Sequence, residues 1–217
     1  MRVGLIGNGH WGQVYLRTFE ALRLTPAWVV SRNLRFDADA VIIATPAETH
    51  YEIASKAISE GCHVLIEKPM VMDVAQAHKL VRLAERMGVV GFVGHVHLYS
   101  PAWRALKERI GEVERIRSVV GGACKTDPKW DWGSHDVAMR IDIAGADCPH
   151  DMEIRPERTK RHFEIVTNDG SFVYDDPPTN PRPMEVMVSE FIQACEAAKP
   201  DIRGLQLGAQ VAEVLCG

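Results

Sequence analysis

The sequence predicts an α/β fold, with a parallel sheet flanked by helices in its first half and a second, small α+β domain after it. Three observations carry this. Short apolar runs alternate with helical patterns up to about Val93, as in a parallel sheet with helices on its faces. The rhythm changes near Gly94. Beyond it, Asn168-Asp169-Gly170 lies between two β-rich runs, a strong signal for an antiparallel hairpin. The expected division is residues 1–94 and residues 95–217.

Arg2 to Ile6 forms the first strand, and Trp11, Val14, Tyr15, Phe19 and Leu22 then recur at helical spacing. Residues 26–30 and 40–44 read as the second and third strands, residues 48–60 as a helix stopped by Gly61. His63 to Ile66 is a strand, residues 73–87 a helix capped by Gly88, and residues 89–93 a further strand. In the second half, residues 101–110 open a helix on Pro101, residues 115–124 read as a strand and residues 134–145 as a helix. Residues 161–167 and 171–174 flank the hairpin turn, and residues 185–198 and 205–216 are amphipathic helices.

One interval is too short for a complete doubly wound unit. Only the eight residues of RNLRFDAD lie between the end of the second strand near Ser31 and the start of the third near Ala40, whereas a helical crossover takes about a dozen or more. Eight extended residues reach at most about 28 Å, and the return path over one strand length and two strand spacings is about 20 Å. A bare extended crossover therefore suffices, and the strand at 26–30 is expected at the edge of a truncated sheet.

Composition removes several classes of function. Lys plus Arg is 25 and Asp plus Glu 29, a net charge of −4, unlike the basic excess of nucleic-acid binders. No apolar run approaches the roughly 18–20 residues of a membrane span, and the N-terminal run turns to glycines too early for a secretory signal. Five scattered cysteines (Cys62, Cys124, Cys148, Cys195 and Cys216) argue against a disulfide framework and for a reducing, cytoplasmic setting.

Gly7-Asn8-Gly9-His10-Trp11-Gly12 joins the first strand to the first helix. A G-x-G-x-x-G turn in that context cradles a dinucleotide pyrophosphate on the helix N-terminus, so the sheet is read as a truncated Rossmann-type sheet. Nineteen residues past Gly12, where NAD sites place an acid, stand Ser31 and Arg32. A hydroxyl and a guanidinium suit a 2′-phosphate, which predicts NADP(H) in preference to NAD(H).

Ligands of open α/β sheets lie at the carboxyl ends of the strands. Two such ends carry Thr45-Pro46-Ala47-Glu48-Thr49-His50 and Glu67-Lys68-Pro69. A lysine there can hydrogen-bond a substrate oxygen and stabilise a developing alkoxide. Asp131 and His135 are four apart at a helix start, and histidine suits proton exchange near neutral pH. His95 and His97 read as alternating on one strand face, without a third ligand to make a metal site.

The ordered combination GNGHWG, ATPAETH, EKP and DWGSH resembles the Gfo/Idh/MocA oxidoreductases, and HFEIVTNDGSFVYDD and IRGLQLGAQVAEVL look like their later segments. The resemblance implies hydride transfer between NAD(P) and a carbinol carbon of a sugar, cyclitol or related small molecule. By position it implies that Lys68 contacts the reacting oxygen and that Asp131 and His135 bind substrate and shuttle its proton. It also places Thr45, Pro46 and His50 near the nicotinamide ribose and Glu67 on the cofactor side. Either His135 or Lys68 itself can then take the proton. The second domain becomes a reduced substrate and oligomerisation domain, with a homo-oligomer expected through its sheet. Ala47 departs from the Asn common in the family, and the second domain is shorter than the family's large open sheet. Two other readings stay open: an NADP(H)-binding regulatory or scaffold protein with a degenerate substrate site, and a reductase of C=N or conjugated C=C bonds.

Overall fold

The computed structural model describes all residues except 121–126, 156–161 and 198. The distal part of the strand expected at 115–124, with Cys124, lies outside the described residues, as do Arg161 and Ala198. The chain forms two compact units, residues Met1–Gly94 with Met184–Ala212, and residues His95–Pro183 with Glu213–Gly217.

The first unit is a five-stranded, all-parallel sheet in the order β2-β1-β3-β4-β5. Its strands are β1 (Val3–Ile6), β2 (Trp28–Val30), β3 (Ala40–Ile43), β4 (His63–Ile66) and β5 (Gly91–Val93). Both faces of β1 and β3 are buried, which is why these runs are continuously apolar rather than alternating. Helix α1 (His10–Ala21) buries Tyr15 and Phe19, α2 (His50–Ser59) buries Ile53, Ala54, Ala57 and Ile58, and α3 (Val74–Met87) buries Ala77, Leu80 and Ala84. The side chain of Asp73 caps α3 by accepting from Gln76 N at 2.7 Å, and Gly88 ends it in the left-handed conformation.

As the spacing predicts, β2 is the edge strand and the chain returns past β1 to β3 without a helix. Side chains hold this crossover. The Asp39 carboxylate accepts the Arg2 backbone N–H at 2.6 Å, Arg35 grips Asp37 through two hydrogen bonds of 3.0 and 2.7 Å, and the buried Cys62 thiol lies 3.2 Å from the carbonyls of Phe36 and Ala38.

Helices α7 (Pro183–Glu196) and α8 (Arg203–Cys216) differ from the expected division. Most of their length groups with the first unit, not with the second domain. Phe191 of α7 packs on Phe92 of β5 with ring centroids 5.5 Å apart. The Gly91 N–H donates to Asp201 O at 2.7 Å, and Gly204 lies so close to the β5 backbone that a Cβ there would sit 2.7 Å from Gly91 O.

The second unit is a four-stranded mixed sheet in the order β7-β6-β8-β9. Its strands are β6 (Val113–Val120), β7 (His150–Ile154), β8 (His162–Thr167) and β9 (Gly170–Tyr174), with the hairpin turn where Asn168 and Asp169 predict it. Strand β7 pairs parallel to β6 and was not anticipated. The shorter helices are α4 (Pro101–Lys107), α5 (Pro128–Asp131) and α6 (Gly133–Ala144). Trp103, Ile116, Met139, Phe163, Ile165 and Tyr174 form the core, whereas Arg115–Asp151 (2.7 Å) and Arg117–Glu164 (3.5 Å) pair on more exposed positions of the same strands. Cys62, Cys148 and Cys195 are buried free thiols; burial pushes Cys195 up to about 12. Among the described residues no helix is long and apolar enough to cross a membrane.

Candidate functional site

The glycine turn is shaped by contacts that only glycine permits. Gly7 has φ +108°, and a Cβ on it would collide with the Ala44 carbonyl at the end of β3. A Cβ on Gly12 would collide with Gly7 O, so α1 lies against the turn it follows. Gly9 is different. A Cβ there would meet nothing within 4 Å, leaving open space at the N-terminus of α1. That helix has no side-chain cap and no acidic residue in its first turn, so its leading N–H groups and positive dipole end are available to an anion. These features fit a pyrophosphate. Asn8, Gly9, His10 and Trp11 are exposed around the opening, with the His10 and Trp11 rings edge to face at 5.7 Å.

Ser31 and Arg32 follow the edge strand β2 and are exposed. Arg35 is engaged by Asp37, whereas Arg32 has no ion-pair partner among the described residues.

The turns after β3 and β4 are locked together by His50. Its Nδ1 lies 2.8 Å from Pro69 O and its Nε2 2.8 Å from Thr45 O. A neutral imidazole donates only one such bond, and a second proton completes both. Burial pushes the pKa of His50 down, against the pull of the two carbonyls. The ring is 1% exposed, so it braces the two turns from inside. Thr49 Oγ1 donates to Pro46 O at 2.7 Å and lies 2.8 Å from Thr45 Oγ1, closing the same turn.

Glu67 is also interior, 4% exposed. Tyr15 Oη donates to its Oε1 at 2.7 Å, and the Lys68 backbone N–H donates to its Oε2 at 3.1 Å. Lys68 is 9% exposed, and its Nζ lies 5.9 Å from the centroid of the Trp11 ring, within cation–π range. The lysine ammonium and the glycine turn therefore stand side by side in one unit. Tyr15 read as an apolar helix position, and its hydroxyl was the overlooked signal.

In the second unit, Asp131 ends α5 and His135 lies in the first turn of α6, one helical turn apart. His135 is 5% exposed. His95 and His97 do not alternate on a strand, because β5 stops at Val93 and residues 96–99 form a 3₁₀ turn. That turn brings both rings to His135, His95 at 6.2 Å and His97 at 4.7 Å between centroids. His97 Nδ1 lies 3.1 Å from Asp176 Oδ1, to which Tyr174 Oη also donates at 3.0 Å. Among the described residues no group of three or more acidic, histidine or cysteine side chains could hold a metal ion.

A glycine cradle at the carboxyl edge of a five-stranded parallel sheet, accompanied by a separate mixed sheet, defines a Rossmann-type nucleotide-binding class. Comparison with known proteins narrows it. The family model GFO_IDH_MocA, described as an oxidoreductase family with an NAD-binding Rossmann fold, matches residues 27–95. UDP-N-acetylglucosamine 3-dehydrogenase of Acidithiobacillus ferrooxidans is 30% identical over 173 residues, 68% of this chain and 55% of that protein. dTDP-3,4-didehydro-2,6-dideoxy-alpha-D-glucose 3-reductase of Actinomadura kijaniata is 33% identical over 113 residues, 51% of this chain and 33% of that protein. The solved structure of the Acidithiobacillus ferrooxidans dehydrogenase superposes with a TM-score of 0.83 at 20% identity, over 100% of this chain and 95% of that chain, and shows the common fold. The chain is similar to the Gfo/Idh/MocA oxidoreductases, through that family model over residues 27–95 and through the first of these relatives over 68% of its own length. By sequence it spans about half the length of the first of these relatives.

Proposed function

We propose that this protein is an NAD(P)-dependent oxidoreductase that transfers a hydride to or from a hydroxyl- or keto-bearing carbon of a sugar, cyclitol or related compound. The observation that carries the reading is the Lys68 ammonium 5.9 Å from the Trp11 ring, in the turn whose Gly9 opens on free space. It sets a charge suited to a reacting oxygen beside a cradle suited to a dinucleotide.

Gly7, Gly9, Gly12 and the α1 N-terminus hold the pyrophosphate; Asn8, His10 and Trp11 border it. Ser31 and Arg32 take the adenosine ribose, and the uncommitted Arg32 guanidinium favours the 2′-phosphate of NADP(H). Thr45 and Pro46 border the nicotinamide side, while His50 and Glu67 act from inside as positioning residues. The bound nicotinamide supplies the hydride acceptor or donor. Lys68 donates a hydrogen bond to the substrate oxygen and stabilises the negative charge that grows on it. His135 accepts the hydroxyl proton in the oxidative direction and returns it in the reductive one, with Asp131 orienting the imidazole or a substrate hydroxyl.

The two nucleotide-sugar relatives, a 3-dehydrogenase and a 3-reductase, support sugars carried on a nucleoside diphosphate as the first substrates to test. Incubation of the protein with NADP⁺ or NAD⁺ and UDP-N-acetylglucosamine, alongside a panel of free sugars and inositols, should yield reduced nicotinamide. Tight cofactor binding without turnover across the panel, in either direction, would instead assign the chain a regulatory or scaffold role.

A further inference from the structure

We propose that His97, anchored by Asp176, is a positioning residue that holds the His135 ring in its working orientation. This rests on the reading of His135 as the proton-exchanging group.

The His97 and His135 planes meet at 88° with centroids 4.7 Å apart, so a swing of either ring is resisted by the other. His97 is itself restrained. Its Nδ1 points at Asp176 Oδ1, 3.1 Å away, and an N–H donated to a carboxylate fixes both tautomer and ring plane. Asp176 is held in turn by the Tyr174 hydroxyl at 3.0 Å. Its backbone is left-handed, with φ +50°, a conformation unfavourable for a non-glycine residue and one that gathers at functional sites. A chain of contacts thus runs from the end of β9 through Asp176 and His97 to His135, and His95 flanks the same ring at 6.2 Å. A proton-exchanging imidazole is sensitive to placement, because an error of about 1 Å can cost about 100-fold in rate.

The test uses His97→Ala, Asp176→Ala and the milder Asp176→Asn, which keeps an acceptor oxygen. Histidine ring resonances of the full chain are assigned by nuclear magnetic resonance, with His135→Gln identifying the His135 signals. The expected result is that His97→Ala shifts and broadens the His135 ring signals while those of His10 and His78 stay in place. kcat should fall about 10- to 100-fold with the cofactor KM within twofold, and Asp176→Asn should retain more activity than Asp176→Ala. A His135 spectrum unchanged in His97→Ala overturns the proposal, as does a rise in cofactor KM with kcat intact. Should the wild-type protein turn over no substrate, the dehydrogenase reading falls, and the proposed role of His97 falls with it even where the ring spectra confirm the contact.

Discussion

The Tyr15 hydroxyl donates a 2.7 Å hydrogen bond to Glu67 Oε1, joining the helix behind the glycine turn to the strand end that carries Lys68. The pair is buried, so the bond works in a medium where a lost partner is expensive. Tyr15→Phe removes one donor from the carboxylate while filling the same space. Thermal and denaturant unfolding should show a loss of about 1–3 kcal/mol. Turnover should fall as well, because Glu67 also receives the Lys68 backbone N–H.

Two glycines of one turn should respond in opposite ways. At Gly9 the backbone is extended (φ −79°, ψ −159°) and a Cβ meets nothing within 4 Å. Gly9→Val should therefore leave the unfolding midpoint nearly unchanged while lowering cofactor affinity at least about tenfold, because the branched side chain enters the space the pyrophosphate needs. Gly12→Ala should do the reverse in order of cause, destabilising the fold through its clash with Gly7 O. Calorimetric titration and thermal melts on the same preparations separate the two.

Arg32→Ala tests the adenosine end. Arg35 is engaged by Asp37, and the proposed NADP(H) reading assigns the 2′-phosphate to Arg32. The variant should bind NADP(H) about tenfold more weakly or worse, the value of one charge-assisted contact, with NAD(H) affinity within about twofold. Equal losses for the two cofactors would remove Arg32 from discrimination.

Stability should fall on the acid side of neutrality. Burial, aided by the Arg140 guanidinium, pushes His150 down to about 4, below its ordinary value near 6.5. The folded state keeps the ring neutral where the unfolded chain already binds a proton. The stabilisation is complete above about pH 6.5 and is lost as pH falls toward about 4, at most about 3 kcal/mol for this group. His50 and His63, lowered by burial in the first unit, act in the same direction. Denaturant unfolding between pH 7 and 4 should show this slope, and His150→Gln should flatten it for the second unit.

Much of this organisation was legible from spacing and periodicity. The eight residues before Ala40 fix β2 at the sheet edge because no helix fits between them, and Asn168-Asp169-Gly170 fixes the hairpin. Strand β7 was not legible. His150, Asp151 and Glu153 give it no apolar run, and its place comes from pairing with β6. The grouping of α7 and α8 was hidden for another reason: amphipathicity shows that a helix buries one face, not which sheet receives it. His95 and His97 misled because three residues of alternation look the same in a strand and in a tight turn, and only the stop of β5 at Val93 separates the cases. The tight glycine turn after β1 and the place of Lys68 after β4 were legible because backbone geometry and strand ends fix them. The contacts of Tyr15, His50 and Asp176 reach across the chain, and sequence distance carries no trace of them.

Lys68→Ala tests the central claim most directly, measured as deuterium transfer from reduced cofactor deuterated at nicotinamide C4 into the hydroxyl-bearing product of a keto-sugar substrate, with cofactor affinity determined on the same protein. The account predicts one deuterium per product molecule from the wild-type protein. It predicts transfer slowed at least about 100-fold in the variant, with cofactor affinity changed less than about threefold. Near-normal transfer by Lys68→Ala, or wild-type protein that binds cofactor and passes no deuterium to any keto-sugar, would contradict it.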